Sequence, residues 1–194
     1  MIVTLFKDIS ATNAPFYREV DSVLDRIRDG VSKSIVLAIR ELDEKSERDK
    51  IKKQLPAICF SGQFSSRNDD SIIEHSGLIC LDFDGYNTEK ALVDHRLKII
   101  SSEYTMAAFV SPSGNGLKVL VKIPKDIEDH KLYFNALEKY FKSEHFDTTS
   151  KNISRVCYES YDPNLYYNRK SLLWEKKDER IPKEIIKGIS RRTI

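Results

Sequence analysis

Two aspartates close an apolar stretch of the sequence, LICLDFDG at residues 78–85. Because the side chains of a β-strand alternate between its two faces, Asp82 and Asp84 would point the same way from the end of a buried strand. Adjacent carboxylates repel each other unless a divalent cation lies between them, and Mg²⁺ or Mn²⁺ prefers such oxygen ligands. The pair therefore predicts a metal site, and the alternative is a solvated strand end that begins a turn.

A loop rich in Ser and Gly, SPSGNGLK at residues 111–118, follows another predicted strand. The backbone N–H groups and hydroxyls of such a loop can bind phosphate, and Lys118 can add a positive charge. The segment is not a Walker A loop, because Leu117 separates Gly116 from Lys118 and Val119 continues into a strand. The loop therefore predicts a triphosphate-binding site, and the alternative is a hairpin loop with a purely geometric role.

A third polar segment, residues 145–155, follows a predicted amphipathic helix. Asp147 could return to the sheet as a third carboxylate ligand, and Arg155 could bind phosphate through two hydrogen bonds. Asp162, which precedes Pro163, is first of all a turn former and only second an alternative third carboxylate. The third carboxylate ligand could therefore be either Asp147 or Asp162.

Six other residues of types that often carry chemistry are interpreted as structural. The three cysteines are odd in number, widely spaced and set in apolar surroundings, which is typical of reduced thiols and excludes a CxxC zinc site. Lone histidines are more often hydrogen-bonded core residues than metal ligands. The arginine of the polar loop at 65–68 could face the same site, but a solvated loop arginine is the favoured interpretation. These residues are Cys59, Cys80, Cys157, His75, His145 and Arg67.

Strands and helices must position the motifs, and the hydrophobic periodicity of the sequence predicts where they lie. In the motif-bearing part, strands are expected at residues 57–62, 77–84, 105–110 and 117–123, and helices at 88–101 and 127–143. The two strands flanking the Ser and Gly loop should form a hairpin. We therefore predict an α+β fold, with a mixed β-sheet and helices on one face.

The rest of the chain predicts a smaller module and a tail. A strand at 1–6 and helices at 14–28, 34–42 and 46–55 make a largely helical α/β module of residues 1–56. The motif-bearing module would span 57–175, so that one catalytic domain covers 1–175. Residues 169–194 contain nine basic and four acidic side chains, and 176–194 is predicted to be a basic tail or a linker to a downstream domain.

The overall composition is that of a folded globular protein. The 194 residues are 40% hydrophobic, and 32 Lys and Arg against 30 Asp and Glu leave a net charge of +2. These values exclude a disordered chain and give no general attraction to nucleic acids or membranes. No apolar run approaches the roughly 20 residues of a membrane helix, and no signal peptide is apparent. We therefore expect a cytoplasmic protein without membrane contact.

In this order, the acidic strand end, the Ser and Gly loop and the later aspartate resemble the three motifs of the archaeo-eukaryotic primase superfamily. More narrowly, the chain from about residue 57 to residue 168 resembles the prim-pol-like domains of bacterial mobile elements and phages, including the VirE or BT-type N-terminal domains. The resemblance implies a sheet module similar to an RNA-recognition motif, joined to a smaller α/β module. It also implies a DNA replication enzyme that adds nucleotides on a template.

The resemblance also implies roles for individual residues. Asp82, Asp84 and Asp147 would be the catalytic residues and the ligands of Mg²⁺ or Mn²⁺. The nucleotide-binding residues would be Ser111, Ser113, Gly114, Gly116, Lys118 and Arg155. Lys118 departs from the pattern, because active primases usually carry a His at the matching place. The expected partners are a single-stranded DNA template, an NTP or dNTP, and a fused or associated helicase.

Two other functions remain open. A degenerate primase-like domain could bind nucleic acid or a protein partner without catalysis, and the presence of Lys118 favours this alternative. The DFDG sequence also resembles the motif of haloacid-dehalogenase-type phosphatases, in which the first Asp is the nucleophile. Against the phosphatase, Tyr86 and Asn87 follow the motif where Thr or Val and an apolar residue are usual, and the motif arrives late in the chain.

Overall fold

A computed structural model describes residues 1–179 of the chain. In the N-terminal part, the elements are β1 (Ile2–Phe6), β2 (Pro15–Glu19), α1 (Val20–Asp29), α2 (Lys33–Arg40), α3 (Lys45–Lys52), β3 (Ala57–Cys59), β4 (Gly62–Phe64) and β5 (Ile72–His75). A 3₁₀-helix at Asp69–Ser71 precedes β5. The elements that follow are β6 (Leu78–Phe83), α4 (Glu89–Ile100), β7 (Thr105–Val110), β8 (Leu117–Lys122), α5 (His130–Phe141), β9 (Cys157–Tyr158) and β10 (Tyr166–Tyr167).

Two four-stranded sheets form the framework. The motif sheet has the strand order β10-β7-β8-β6, and the N-terminal sheet has the order β2-β1-β3-β9. All strand ladders of residues 1–179 are antiparallel, and the parallel component is a single bridge between Lys122 and Leu173. The predicted α+β class is confirmed. Within the described residues, the sheet is mixed only through that one parallel bridge.

The motif sheet has a different layer on each of its faces. Alternation along β6 turns Ile79, Leu81 and Phe83 towards the core that α4 and α5 cover. Leu78 and the partly buried Cys80 face the opposite core, where α1 and the N-terminal sheet pack. Because strand side chains alternate, Asp82 lies on this second face, between the two sheets. The two helices that follow the acidic strand thus gather on one face, as expected.

The N-terminal sheet draws strands from both predicted modules. β3 pairs with β1, and β9, from the C-terminal half, pairs with β3. The chain therefore crosses from the N-terminal sheet to the motif sheet after β3 and returns for β9. The domain boundaries at residues 56 and 175 remain predictions, and most of the predicted tail, from residue 180 onward, lies outside the described residues.

The helix expected at 14–28 is shorter than predicted. Residues Pro15–Glu19 form β2, which pairs with β1 in a register that places Phe16 opposite Leu5. The helix begins only at Val20 and ends, as expected, at Gly30, whose φ of 85° is the left-handed value that favours glycine after a helix. The apolar spacing of residues 16–20 suits a helix locally, but pairing with the edge of β1 satisfies the backbone of this segment instead.

The three cysteines are unpaired thiols. Cys59 and Cys157 are buried and Cys80 is partly buried, which agrees with the structural interpretation. Within residues 1–179 no helix is both long and apolar enough to cross a membrane.

Two buried histidines pair with each other where β5 meets α5. The Gly77 N–H donates to His75 Nδ1 at 2.9 Å, so His75 carries its proton on Nε2, which lies 3.0 Å from His130 Nδ1. Burial lowers the pKa of His75 to about 4 and that of His130 to about 3. Both rings are therefore neutral in the folded protein, in agreement with the structural role predicted for His75.

The histidine pair makes the protein sensitive to acid. The folded-state pKa values lie below the unfolded value of about 6.5, so their contribution to stability is complete above that pH and is lost as the pH falls towards 4. We expect the free energy of unfolding to fall by about 1.4 kcal/mol per pH unit for each histidine in this window. Urea unfolding at several pH values measures this slope, and His130→Phe should reduce it. A flat profile between about pH 6.5 and 4 would contradict the assignment.

Candidate active site

Asp82 and Lys118 form a buried ion pair at the end of the motif sheet. They are partners across the β6–β8 ladder, are 9% and 8% exposed, and their charged groups are in direct contact. Burial raises the pKa of Asp82, and the charges of Asp84 and Asp147 add to this against the attraction of Lys118. Burial lowers the pKa of Lys118, but Asp82 and Asp84 outweigh it and raise that pKa overall. One lysine thus faces several carboxylates.

The segment after α5 returns to the acidic strand. The Asp84 N–H donates to the His145 carbonyl at 2.8 Å, and the Asp147 N–H donates to the Asp82 carbonyl at 2.8 Å. Phe146 forms an antiparallel bridge with Phe83 between these two bonds. Backbone pairing therefore places Asp147 beside Asp82, and its role as a third carboxylate ligand remains a prediction.

Asp147 is held by its own turn. Its carboxylate accepts hydrogen bonds from the Thr149 N–H at 2.9 Å, from Thr149 Oγ1 at 2.6 Å and from Ser150 Oγ. Arg155 lies 3.5 Å away from it. Burial raises the pKa of Asp147, but these donors and Arg155 outweigh it and lower the pKa overall. Asp147 is therefore an ionised carboxylate at the edge of the site.

The alternative third carboxylate, Asp162, is engaged elsewhere. It pairs with Arg96 at 2.9 Å and accepts hydrogen bonds from the Val110 and Asn164 N–H groups, each at 2.9 Å. It lines a separate cavity of about 570 Å³ between α4 and the Ser and Gly loop. Of the two aspartates that the sequence left open, Asp147 is the one beside Asp82.

The Ser and Gly loop folds tightly against the acidic strand. The Ser111 N–H donates to the Gly116 carbonyl at 2.8 Å, and the buried Ser111 Oγ has no hydrogen-bond partner within the described part of the chain. A Cβ atom at Gly116 would lie 2.3 Å from Asp84 Oδ1 and 2.9 Å from the Phe83 carbonyl oxygen. The absence of a side chain at Gly116 is therefore what lets Asp84 approach the loop.

The structure divides the predicted nucleotide-binding residues into groups. Ser111, Gly116 and Lys118 lie against the acidic strand. Ser113 and Gly114 line the 570 Å³ cavity instead, and a Cβ at Gly114 would lie 3.5 Å from the Arg40 side chain. The predicted phosphate-binding loop thus has two sides, of which only one faces the carboxylates. Arg155 approaches from the other end, through Asp147.

Gly116→Ala tests the close approach of this loop. The added methyl group cannot be accommodated unless Asp84 or the loop backbone moves, which we expect to destabilise the protein by about 1–3 kcal/mol. Activity at the site should fall as well, because the displaced group is Asp84. Asn115→Ala is the matched control, since that side chain is exposed. Urea unfolding of both variants measures the effect, and equal stabilities would contradict the packing argument.

The aspartates at the end of β6 are ligands of the type that binds divalent metal ions, but their side chains are not arranged as a metal site. Within residues 1–179, no three His, Cys, Asp or Glu side chains are arranged to hold a metal ion. Asp82 is engaged by Lys118 on one oxygen, while its buried Oδ1 has no hydrogen-bond partner. The carboxylate oxygens of Asp82, Asp84 and Asp147 are donors of the type that Mg²⁺ or Mn²⁺ prefers. Metal binding would therefore require Asp82 to exchange Lys118 for the cation.

Some residues near the site were not predicted. Tyr86 stacks on His145 with ring centroids 4.0 Å apart, and His145 Nδ1–H donates to the Asp84 carbonyl at 3.0 Å. Arg40 donates to the Ser111 carbonyl at 3.1 Å. The sequence contains no signal for these contacts, because they join segments that are distant along the chain. The structural role predicted for His145 agrees with this geometry.

Comparisons with known proteins complete the description of the site. The family model for the BT4734-like N-terminal domain matches residues 50–167. Among solved structures, the chain is similar to the AEP domain of the primase-polymerase (PrimPol) of cyanophage S-2L, with a TM-score of 0.44 and 12% sequence identity, over 96% of this chain and 86% of that chain. No curated protein matches the sequence. The family match contains all the predicted catalytic and nucleotide-binding residues.

Proposed function

The chain belongs to the BT4734-like N-terminal domain family, and from this premise we propose that it is a primase-polymerase-like nucleotidyltransferase domain of the archaeo-eukaryotic primase type. It would add an NTP or dNTP to a strand paired with a single-stranded DNA template. We also propose that the domain acts in DNA replication in phages or mobile elements and is of the VirE-like group. Its proposed partner is a fused or associated helicase. The family match gives no support to the phosphatase alternative.

One observation carries the proposal. The backbone of residues 145–147 pairs with the end of β6 and brings Asp147 beside Asp82. Within the described residues, Asp82 has a buried oxygen without a hydrogen-bond partner, and Asp84 follows two residues later. Three aspartates from two distant segments thus lie near one strand end, next to a loop of small residues, although their carboxylates are not yet arranged around a cation. Such a cluster costs electrostatic free energy, which a bound divalent cation would offset.

The chain's own residues would bind and orient the substrates. Asp82, Asp84 and Asp147 would hold Mg²⁺ or Mn²⁺, which supplies neutralisation of the triphosphate and activation of the attacking 3′-hydroxyl. Once released from Asp82, Lys118 would bind phosphate as a point charge. Ser111 Oγ would donate a hydrogen bond to a phosphate oxygen, and Gly116 would keep Asp84 close to the loop. Catalysis would then come mainly from orientation and electrostatic stabilisation.

Nucleotide incorporation tests the proposal. The full chain is incubated with single-stranded DNA, NTP or dNTP, and Mg²⁺ or Mn²⁺, with and without a primer. We expect metal-dependent products from the wild type and none from a folded Asp82→Ala, Asp84→Ala double variant. Products from both proteins would overturn the assignment of these residues, and products from neither would overturn the catalytic function.

A second function is favoured by one contact, the buried ion pair between Asp82 and Lys118. A lysine in this position neutralises Asp82 without a metal, as would suit a degenerate domain that binds nucleic acid or a protein partner without catalysis. This function predicts that single-stranded DNA binds in the presence of a chelator and that no metal supports incorporation. Binding that depends on Mg²⁺ or Mn²⁺ would count against it.

A further inference from the structure

Two arginines from distant segments line one cavity on the N-terminal side of the site. The cavity has a volume of about 360 Å³, and Arg67, Asn152, Ser154, Arg155 and Tyr158 are among its lining residues. Arg67 comes from the loop after β4, whereas Arg155 immediately precedes the segment that forms β9. We call this space the arginine cavity. Two guanidinium groups that face one small space repel each other, which favours an anionic occupant.

The charge of Arg67 is not neutralised by an ion pair within residues 1–179. No ion pair or side-chain hydrogen bond joins its guanidinium group to another residue in the part of the chain that the structure describes, and its buried Nε has no partner. The residue is only partly exposed. A buried guanidinium N–H without an acceptor is unfavourable, because its hydrogen bond to water has been lost. Arg67 is thus prepared for an acceptor that residues 1–179 do not provide.

The nearby carboxylates do not fill this role. Asp69 accepts hydrogen bonds from Ser154 N at 3.0 Å, Ser154 Oγ at 2.6 Å and Asn152 Nδ2 at 3.4 Å. Its charge is used to fix the loop that forms one wall of the cavity. Asp147 is 3.5 Å from Arg155 and is already satisfied by hydroxyl donors. Arg155 is 47% exposed on its side chain, and its contact with Asp147 leaves other guanidinium N–H groups to donate to an occupant of the cavity.

The arginine cavity adjoins the carboxylates. Asn152 and Arg155 also line a narrow space bounded by Cys80 and Ser150. Cys80 precedes Asp82 by two residues, so the two side chains are on the same face of β6. A molecule in the cavity would therefore lie near Asp147, which Arg155 contacts at 3.5 Å.

We propose that the arginine cavity binds a phosphate group, with Arg67 as a ligand outside the three motifs found in the sequence and Arg155 as the second. A guanidinium group matches phosphate geometry through paired N–H donors. The phosphate belongs either to the nucleoside triphosphate or to the backbone of the DNA strand. The inference rests on the proposed function for the kind of ligand, but it concerns binding and does not need turnover.

Binding in the presence of a chelator tests the inference. Fluorescence anisotropy is measured with a labelled oligothymidylate and, separately, with a fluorescent ATP analogue, on the full chain. We expect Arg67→Ala to weaken the binding of one of the two probes by roughly tenfold or more, because a charged hydrogen-bond donor is lost. Arg67→Lys should restore part of the affinity. Arg28→Ala is the matched control, since that exposed arginine pairs with Asp25 and Asp29 on α1.

The two probes distinguish the sources of the phosphate. If Arg67→Ala binds the oligothymidylate more weakly, and its slope of log K against log salt concentration is smaller by about 0.7, the cavity binds a phosphate of the DNA strand. A loss for the ATP analogue alone assigns it to the nucleotide. Unchanged binding of both probes by a folded Arg67→Ala protein would overturn the inference. If no protein incorporates nucleotides but Arg67→Ala still weakens binding, the catalytic function fails and the phosphate site stands.

Discussion

Asp82→Asn is expected to lower kcat/KM for nucleotide incorporation on the order of 10³-fold, which corresponds to about 4 kcal/mol of transition-state stabilisation. Asparagine keeps the shape of the side chain and an oxygen for Lys118, but it removes the negative charge at the centre of the carboxylate cluster. Among the three aspartates, Asp82 is the one with a buried oxygen that finds no hydrogen-bond partner in residues 1–179. Its loss should therefore affect metal binding more than the loss of a peripheral carboxylate would.

The measurement needs a matched control and a check on folding. Asp94→Asn removes an exposed carboxylate that pairs with Lys90 on α4, so its kcat/KM should equal that of the wild type. Circular dichroism shows whether Asp82→Asn is folded. If the folded variant incorporates nucleotides at the wild-type rate, Asp82 is not a catalytic ligand. Because the pKa of Asp82 is raised in the metal-free protein, metal binding should weaken at a higher pH than an ordinary aspartate would give as the solution is acidified.

The elements that the sequence predicted well are those whose pattern is local. β7, Thr105–Val110, has the predicted boundaries, and β8 differs at one end by a single residue. Both are apolar runs bounded by turn residues, so the sequence alone indicates where each strand begins and ends. Thr88 caps α4 as expected and accepts a hydrogen bond from the Ala91 N–H at 3.1 Å. Turn and cap residues act within a few positions, which is why such predictions succeed.

The features that the sequence did not reveal depend on pairing between distant segments. β2 lies in a region with helical spacing and becomes a strand because β1 offers it a partner. The contact of Asp82 with Lys118 follows from the register of β6 against β8, which no local pattern specifies. Arg67 was interpreted as a solvated loop residue, whereas it lines a cavity with Arg155. Residue type identifies candidate ligands in the sequence, but it does not identify the residues that contact them in the fold.

The ion pair between Asp82 and Lys118 should make a large contribution to stability when only one partner is removed. Lys118→Met is expected to destabilise the metal-free protein by about 3–5 kcal/mol, because it leaves a buried carboxylate beside Asp84 and Asp147. The double variant with Asp82→Asn should be less destabilised than the sum of the two single variants by at least about 1 kcal/mol, since neither buried charge remains unpaired. Urea unfolding of the four proteins measures this coupling.

The same double-mutant cycle on the exposed pair Lys90 and Asp94 is the control. There we expect a coupling free energy of about 0.5 kcal/mol or less. The Asp82–Lys118 coupling then bears on function, because Lys118 and a cation compete for the same carboxylate. If the proposed catalytic function is right, Lys118→Met should bind Mn²⁺ more tightly than the wild type and the ATP analogue more weakly, since the competing charge is also the phosphate ligand. A strong coupling with no response of either affinity would instead identify the pair as a structural replacement for the metal, as the non-catalytic function requires.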